Sequence, residues 1–83
     1  MARILVIDDD AAYRAFLREF MEVKGHTVLE AENADEGSAV FLREKIDLVV
    51  SDLMMPVKSG IELLHELRQI NPKVLFIMVT GNP

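Results

Sequence analysis

Four short apolar runs alternate with three longer stretches of helical period along this chain. Ile4 to Ile7 is an unbroken aliphatic run, the pattern of a strand buried on both faces of a parallel sheet. It runs directly into Asp8, Asp9 and Asp10. From Ala11 to Lys24, the residues Phe16, Leu17, Phe20, Met21 and Val23 recur at roughly helical spacing. Asp10 is the predicted N-cap of that helix and Gly25 its stop, with Phe16 and Phe20 expected in the core. Thr27 to Ala31 reads as a second strand. Asn33 and Glu36 have the spacing of a capping box and open a helix running to about Glu44. That helix is expected to bury Ala39, Val40 and either Phe41 or Leu42, and Gly37 weakens it. Asp47 to Ser51 is the third strand and delivers Asp52 at its C-terminal end. A loop from Leu53 to Ser59 contains Pro56. Ser59 and Glu62 then cap a third helix, predicted to turn Ile61, Leu64, Leu67 and Ile70 inward and to end at Asn71-Pro72. Val74 to Val79 is the most apolar strand, followed by Thr80 and Gly81.

Strands alternating with helices imply a parallel sheet, right-handed crossovers and helices on both faces. Ligands of such sheets bind beyond the carboxyl ends of the strands. If the first, third and fourth strands are neighbours, Asp8, Asp9, Asp52 and Thr80 meet at one rim. Three converging carboxylates repel one another unless a cation neutralises them. Hard oxygen ligands favour magnesium or manganese over zinc. A carboxylate can also attack phosphorus to give an acyl phosphate, and the Thr80 hydroxyl could donate to a phosphoryl oxygen.

Composition narrows the picture. The chain has 83 residues, enough for one small domain, and a formal net charge of -5. An acidic surface repels phosphate backbones, so direct binding to nucleic acid is not expected. No cysteine is present, which removes disulfides and thiolate metal sites. The opening MARILVIDDD is too short and too charged for a signal peptide, and no run approaches the roughly 20 apolar residues of a membrane span. A cytoplasmic protein is expected. Asp10 reads as a cap rather than a ligand, and His26 and His65 as surface residues. Met54 and Met55 suit packing better than a soft-metal site. Arg14, Arg18 and Glu19 read as a solvated helix face.

The segments ILVIDDD, LVVSDLMMPVKSG and FIMVTG carry a resemblance. From about Arg3 to Gly81 the chain resembles the receiver domains of bacterial two-component response regulators. The resemblance implies a flavodoxin-like, three-layer α/β/α fold with strand order 2-1-3-4-5. It implies that Asp52 takes a phosphoryl group from a histidine kinase or phosphotransfer protein. Mg2+ would be held by Asp8, Asp9, Asp52 and the backbone carbonyl of Met54. Thr80 would be the switch hydroxyl, Pro56 and Gly60 would shape the loop after the phosphoacceptor, and Gly81 would leave room for phosphate. The domain would be a phosphoacceptor and not a turnover enzyme.

The family pattern continues with a fourth helix, a fifth strand bearing a lysine and an aromatic switch residue, and a fifth helix. Residues 1–83 match its N-terminal portion, with four strands and three helices, and Lys58 and Lys73 lie elsewhere in the pattern. On this expectation the strand from Val74 to Val79 is a sheet edge through which copies could associate. Two other readings follow. One is a receiver-like interaction fragment that works without phosphorylation. The other is a haloacid-dehalogenase-type phosphatase with Asp8 as nucleophile and Asp10 as acid/base. That family prefers Thr or Val where Ala12 stands, and it leaves Asp52 without a role.

Overall fold

The computed structural model describes residues 1–79. The elements are β1 (Arg3–Ile7), α1 (Ala11–Val23), β2 (Thr27–Ala31), α2 (Ala34–Arg43), β3 (Leu48–Asp52), α3 (Gly60–Ile70) and β4 (Leu75–Val79). The four strands are parallel and ordered β2-β1-β3-β4. This is the flavodoxin-like order, with β1 and β3 central and β4 at an edge among the described residues.

The side-chain alternation of the strands sends residues to two faces. One face carries Leu5, Ile7, Ala31 and Val49, and it packs against Val40 and Phe41 of α2 and Leu63 and Leu67 of α3. The other carries Ile4, Val6, Val28 and Val50, and Leu17 and Met21 of α1 lie against it. That two-sided burial explains the unbroken apolar run of β1. Gly37 has a positive role in this packing. A Cβ there would come within 2.5 Å of Ile7 Cδ1, so the glycine lets α2 sit against β1 without the Ile7 side chain having to shift. None of the helices among the described residues is long and apolar enough to cross a membrane.

The caps form largely as expected. Asp10 accepts from the Ala12 and Tyr13 amides, and Ser59 and Glu62 make a reciprocal capping box. Asn33 accepts from the Glu36 amide at 2.8 Å.

The inward faces of the helices depart from expectation. Phe16 and Phe20 are not core residues: they are 65% and 54% exposed, and the Lys24 ammonium lies over the Phe20 ring. The side of α1 that meets the sheet is the Leu17–Met21 side, one step round the helix. Ala39 and Leu42 are exposed, and α2 buries Ala34, Gly37, Ser38, Val40 and Phe41. On α3, Ile61 and Ile70 are exposed and the buried stripe is Gly60, Leu63 and Leu67. In each case the sequence holds more apolar residues than one contact face can use. The docking partner chooses the phase.

A polar cluster ties α2 and α3 to the loop between β3 and α3. The Lys58 ammonium donates to Asp35 at 3.0 Å and to Glu66 at 2.7 Å, and the Ser38 hydroxyl donates to Glu66. The Lys58 ammonium and the Ser38 hydroxyl hold the Glu66 carboxyl below its ordinary range. A depressed folded-state pKa gives stability that is complete above the ordinary glutamate value and is lost as pH falls through the folded value. Wild type is therefore expected to lose stability across the acidic range more steeply than Glu66→Gln. Urea midpoints measured at neutral and acidic pH check this, and parallel acid limbs would contradict it.

Candidate functional site

Parallel register builds the site. Ile7 of β1 lies opposite Ser51 of β3, so the next residues, Asp8 and Asp52, leave the sheet side by side. Both are buried, at 5% and 8% exposure, whereas Asp9 is open to solvent. One carboxylate oxygen from each of Asp8, Asp9 and Asp52 lies within 4.8 Å of the others.

The local backbone holds these groups in place. The Asp8 amide donates to the Ala31 carbonyl of β2 at 3.1 Å, and Asp8 Oδ1 accepts from the Asp10 amide at 2.8 Å. Asp52 Oδ1 accepts from the Met54 amide at 3.2 Å, and the Leu53 amide donates to Val79 at 2.9 Å. Gly60 sets how closely α3 begins behind Asp52. A Cβ at Gly60 would come within 2.5 Å of the Asp52 carbonyl oxygen and 2.6 Å of Met78 Sδ. The loop between them carries Val57 at φ 72, a left-handed conformation that a β-branched residue rarely adopts.

The charge is poorly balanced. Burial pushes the Asp8 carboxyl above its ordinary range, and the neighbouring charges of Asp52 and Asp9 push it the same way. The Asp10 amide opposes this. A small cluster of hard carboxylate oxygens suits a divalent cation of the magnesium class.

Asp8, Asp9 and Asp52 thus come together as expected. Asp10 does not join them, because its carboxylate caps α1. Thr80 and Gly81 lie outside the described residues. Met54 follows Asp52 with its side chain in solvent. His26 Nδ1 accepts from the Ala2 amide at 2.9 Å, and His65 is exposed, so neither histidine stands at the rim.

One expectation about the first helix fails. Arg14 is not part of a solvated face; its side chain is only 15% exposed. Its guanidinium donates to the Asp8 carbonyl at 2.6 Å and to Glu30 at 3.0 Å. The signal was present in β2. Glu30 shares a strand face with Val28, the face that α1 covers, so it needs a cationic partner on that helix.

The response regulator receiver domain family model matches residues 4–83. This chain belongs to the response regulator receiver domain family. It is 43% identical over 67 residues to the transcriptional regulatory protein ResD of Bacillus subtilis, covering 81% of this chain and 28% of ResD. It is 41% identical over 81 residues to CpxR of Klebsiella pneumoniae, covering 98% and 34%. Among solved structures, the response regulator TrrA of Thermotoga maritima in complex with Mg(2+)-BeF superposes with a TM-score of 0.93 at 35% identity. That match covers 99% of this chain and 71% of TrrA. TrrA in complex with the histidine kinase ThkA gives 0.92 at 35% identity, covering 100% and 72%. The chain spans about a third or less of the length of the curated relatives it matches.

The Gly60 contact yields a prediction. Gly60→Ala should cost about 1–3 kcal/mol, the usual range for an overpacked site. The backbone carbonyl it meets has little room to give. Urea unfolding at unchanged m-value measures it. An unaltered midpoint would mean that the contact is not tight.

Proposed function

We propose that this receiver domain accepts a phosphoryl group on Asp52 from a phosphohistidine of a histidine kinase or phosphotransfer protein. The observation that carries the reading is the meeting of three carboxylates with Asp8 buried among them. An Asp52 oxygen attacks phosphorus, the phosphorus–nitrogen bond breaks, and the imidazole leaves with the electron pair. Residues of this chain prepare that step. The Met54 amide orients the Asp52 carboxylate, leaving its other oxygen for attack. Asp8 and Asp9, with Asp52 and the Met54 carbonyl, would hold Mg2+. The metal, when bound, offsets charge on the carboxylates and on the phosphoryl oxygens. Thr80 is assigned the hydroxyl that answers the phosphoryl group. Such a domain receives one group and passes on a change of surface, without enzymatic turnover of its own. Residues 1–83 are read as one portion of it, working in the cytoplasm where kinases phosphorylate.

The capping role of Asp10 speaks against a dehalogenase-type phosphatase, which would need that carboxylate as acid/base. Self-association has an observation in its favour. Leu75 and Ile77 of β4 are 65% and 50% exposed, and β4 is one of the two sheet edges among the described residues. Pairing of β4 edges predicts a mass in light scattering that rises with protein concentration. A constant monomer mass would reject it.

Phosphoacceptance is tested by incubation with acetyl phosphate and Mg2+, followed by mass spectrometry. Wild type should gain one phosphoryl group, and Asp52→Asn should gain none. Asp10→Asn should label like wild type. Undiminished labelling of Asp52→Asn would overturn the assignment.

A further inference from the structure

Arg14 sits one turn into α1, yet its side chain reaches back to the end of β1. It donates to the backbone carbonyl of Asp8, not to a carboxylate of the acidic cluster. Its Nε is engaged by Glu30 Oε1 at 3.0 Å, and the other Glu30 oxygen accepts from Arg18 at 2.8 Å. Glu30 is thus bound by two arginines, which hold its carboxyl below its ordinary range. The backbone of Asp8 is fixed on both sides: its amide by Ala31 of β2 and its carbonyl by Arg14. Ala31 directly follows Glu30, so one stretch of β2 serves both anchors.

From this arrangement we infer that Arg14, held by Glu30, is a positioning residue for the acidic turn that binds the cation. The inference rests on the reading of Asp8, Asp9 and Asp52 as metal ligands. A charged planar fork suits the task, because it bonds a carbonyl and a carboxylate at once. Lysine carries the same charge as a single point and cannot reproduce the fork.

Charge and position predict opposite signs, which makes the inference testable. Removing a cation from the neighbourhood of a dication's site should tighten metal binding if only the field matters. Losing the anchor should weaken it. Residues that orient metal ligands typically cost 10- to 100-fold in affinity when removed, so Arg14→Met should weaken Mg2+ by about tenfold. Isothermal titration of the whole chain with MgCl2, at low and at high salt, measures this. The loss should persist at high salt, where a field effect is screened. Hydrogen exchange of the Asp10 amide in the metal-free protein should quicken in Arg14→Met, because that amide bonds the carboxylate of the loosened turn. Arg14→Lys should show the same weakening with intact circular dichroism, which covers the case in which Arg14→Met fails to fold. Unchanged or tighter Mg2+ binding in a folded Arg14 variant overturns the inference while leaving the metal reading intact. Failure of wild type to bind Mg2+ overturns both.

Discussion

Everything at the rim depends on one electrostatic constraint: three carboxylates are held within 4.8 Å of one another, and two of them are buried. Like charges at this spacing oppose the fold, so something must hold them. Parallel register does most of it, since Ile7 opposite Ser51 commits Asp8 and Asp52 to adjacent exits. Backbone amides from Asp10 and Met54 then fix one oxygen of each buried acid. The nearby guanidinium of Arg14 is turned to a carbonyl and to Glu30. Arg14 therefore does not neutralise the rim, whose carboxylates remain suited to a divalent cation.

The rest of the fold serves this rim. Apolar burial on both faces of β1 fixes the strand that ends at Asp8 in the middle of the core. Gly37 lets α2 approach β1, and Gly60 lets α3 begin close behind Asp52. The Lys58 cluster joins α2 and α3 to the loop that leaves Asp52. That loop contains Val57 in a conformation worth about 1–2 kcal/mol of strain for a non-glycine residue.

Much of this was legible in the sequence. The runs of β1 and β3 announced buried parallel strands, and the caps at Asp10, Asn33 and Ser59 marked helix starts that formed there. Asp8, Asp9 and Asp52 followed from the rule that chemistry gathers at the carboxyl ends of strands. Helix phase was harder to read. Phe16 and Phe20 have the spacing of a buried face, but a periodic pattern does not say which stripe meets the sheet; Ile61 and Ile70, nine residues apart, lie on opposite sides of α3 and could not both face it. Arg14 was misread because its partner lies on another element, 16 residues away in sequence. Gly37 was taken as a weakness because its benefit is a contact with β1, which no local rule contains.

The central claim is that a divalent cation is held between the ends of β1 and β3. Paramagnetic broadening by Mn2+, read amide by amide in the NMR spectrum, tests it most directly. Broadening should begin at low Mn2+ at Asp9, Asp10, Leu53 and Met54 and should reverse with excess Mg2+. Sharp signals at those amides, with broadening centred on Glu32 and Asp35 or on Glu19 and Glu22 instead, would contradict the account.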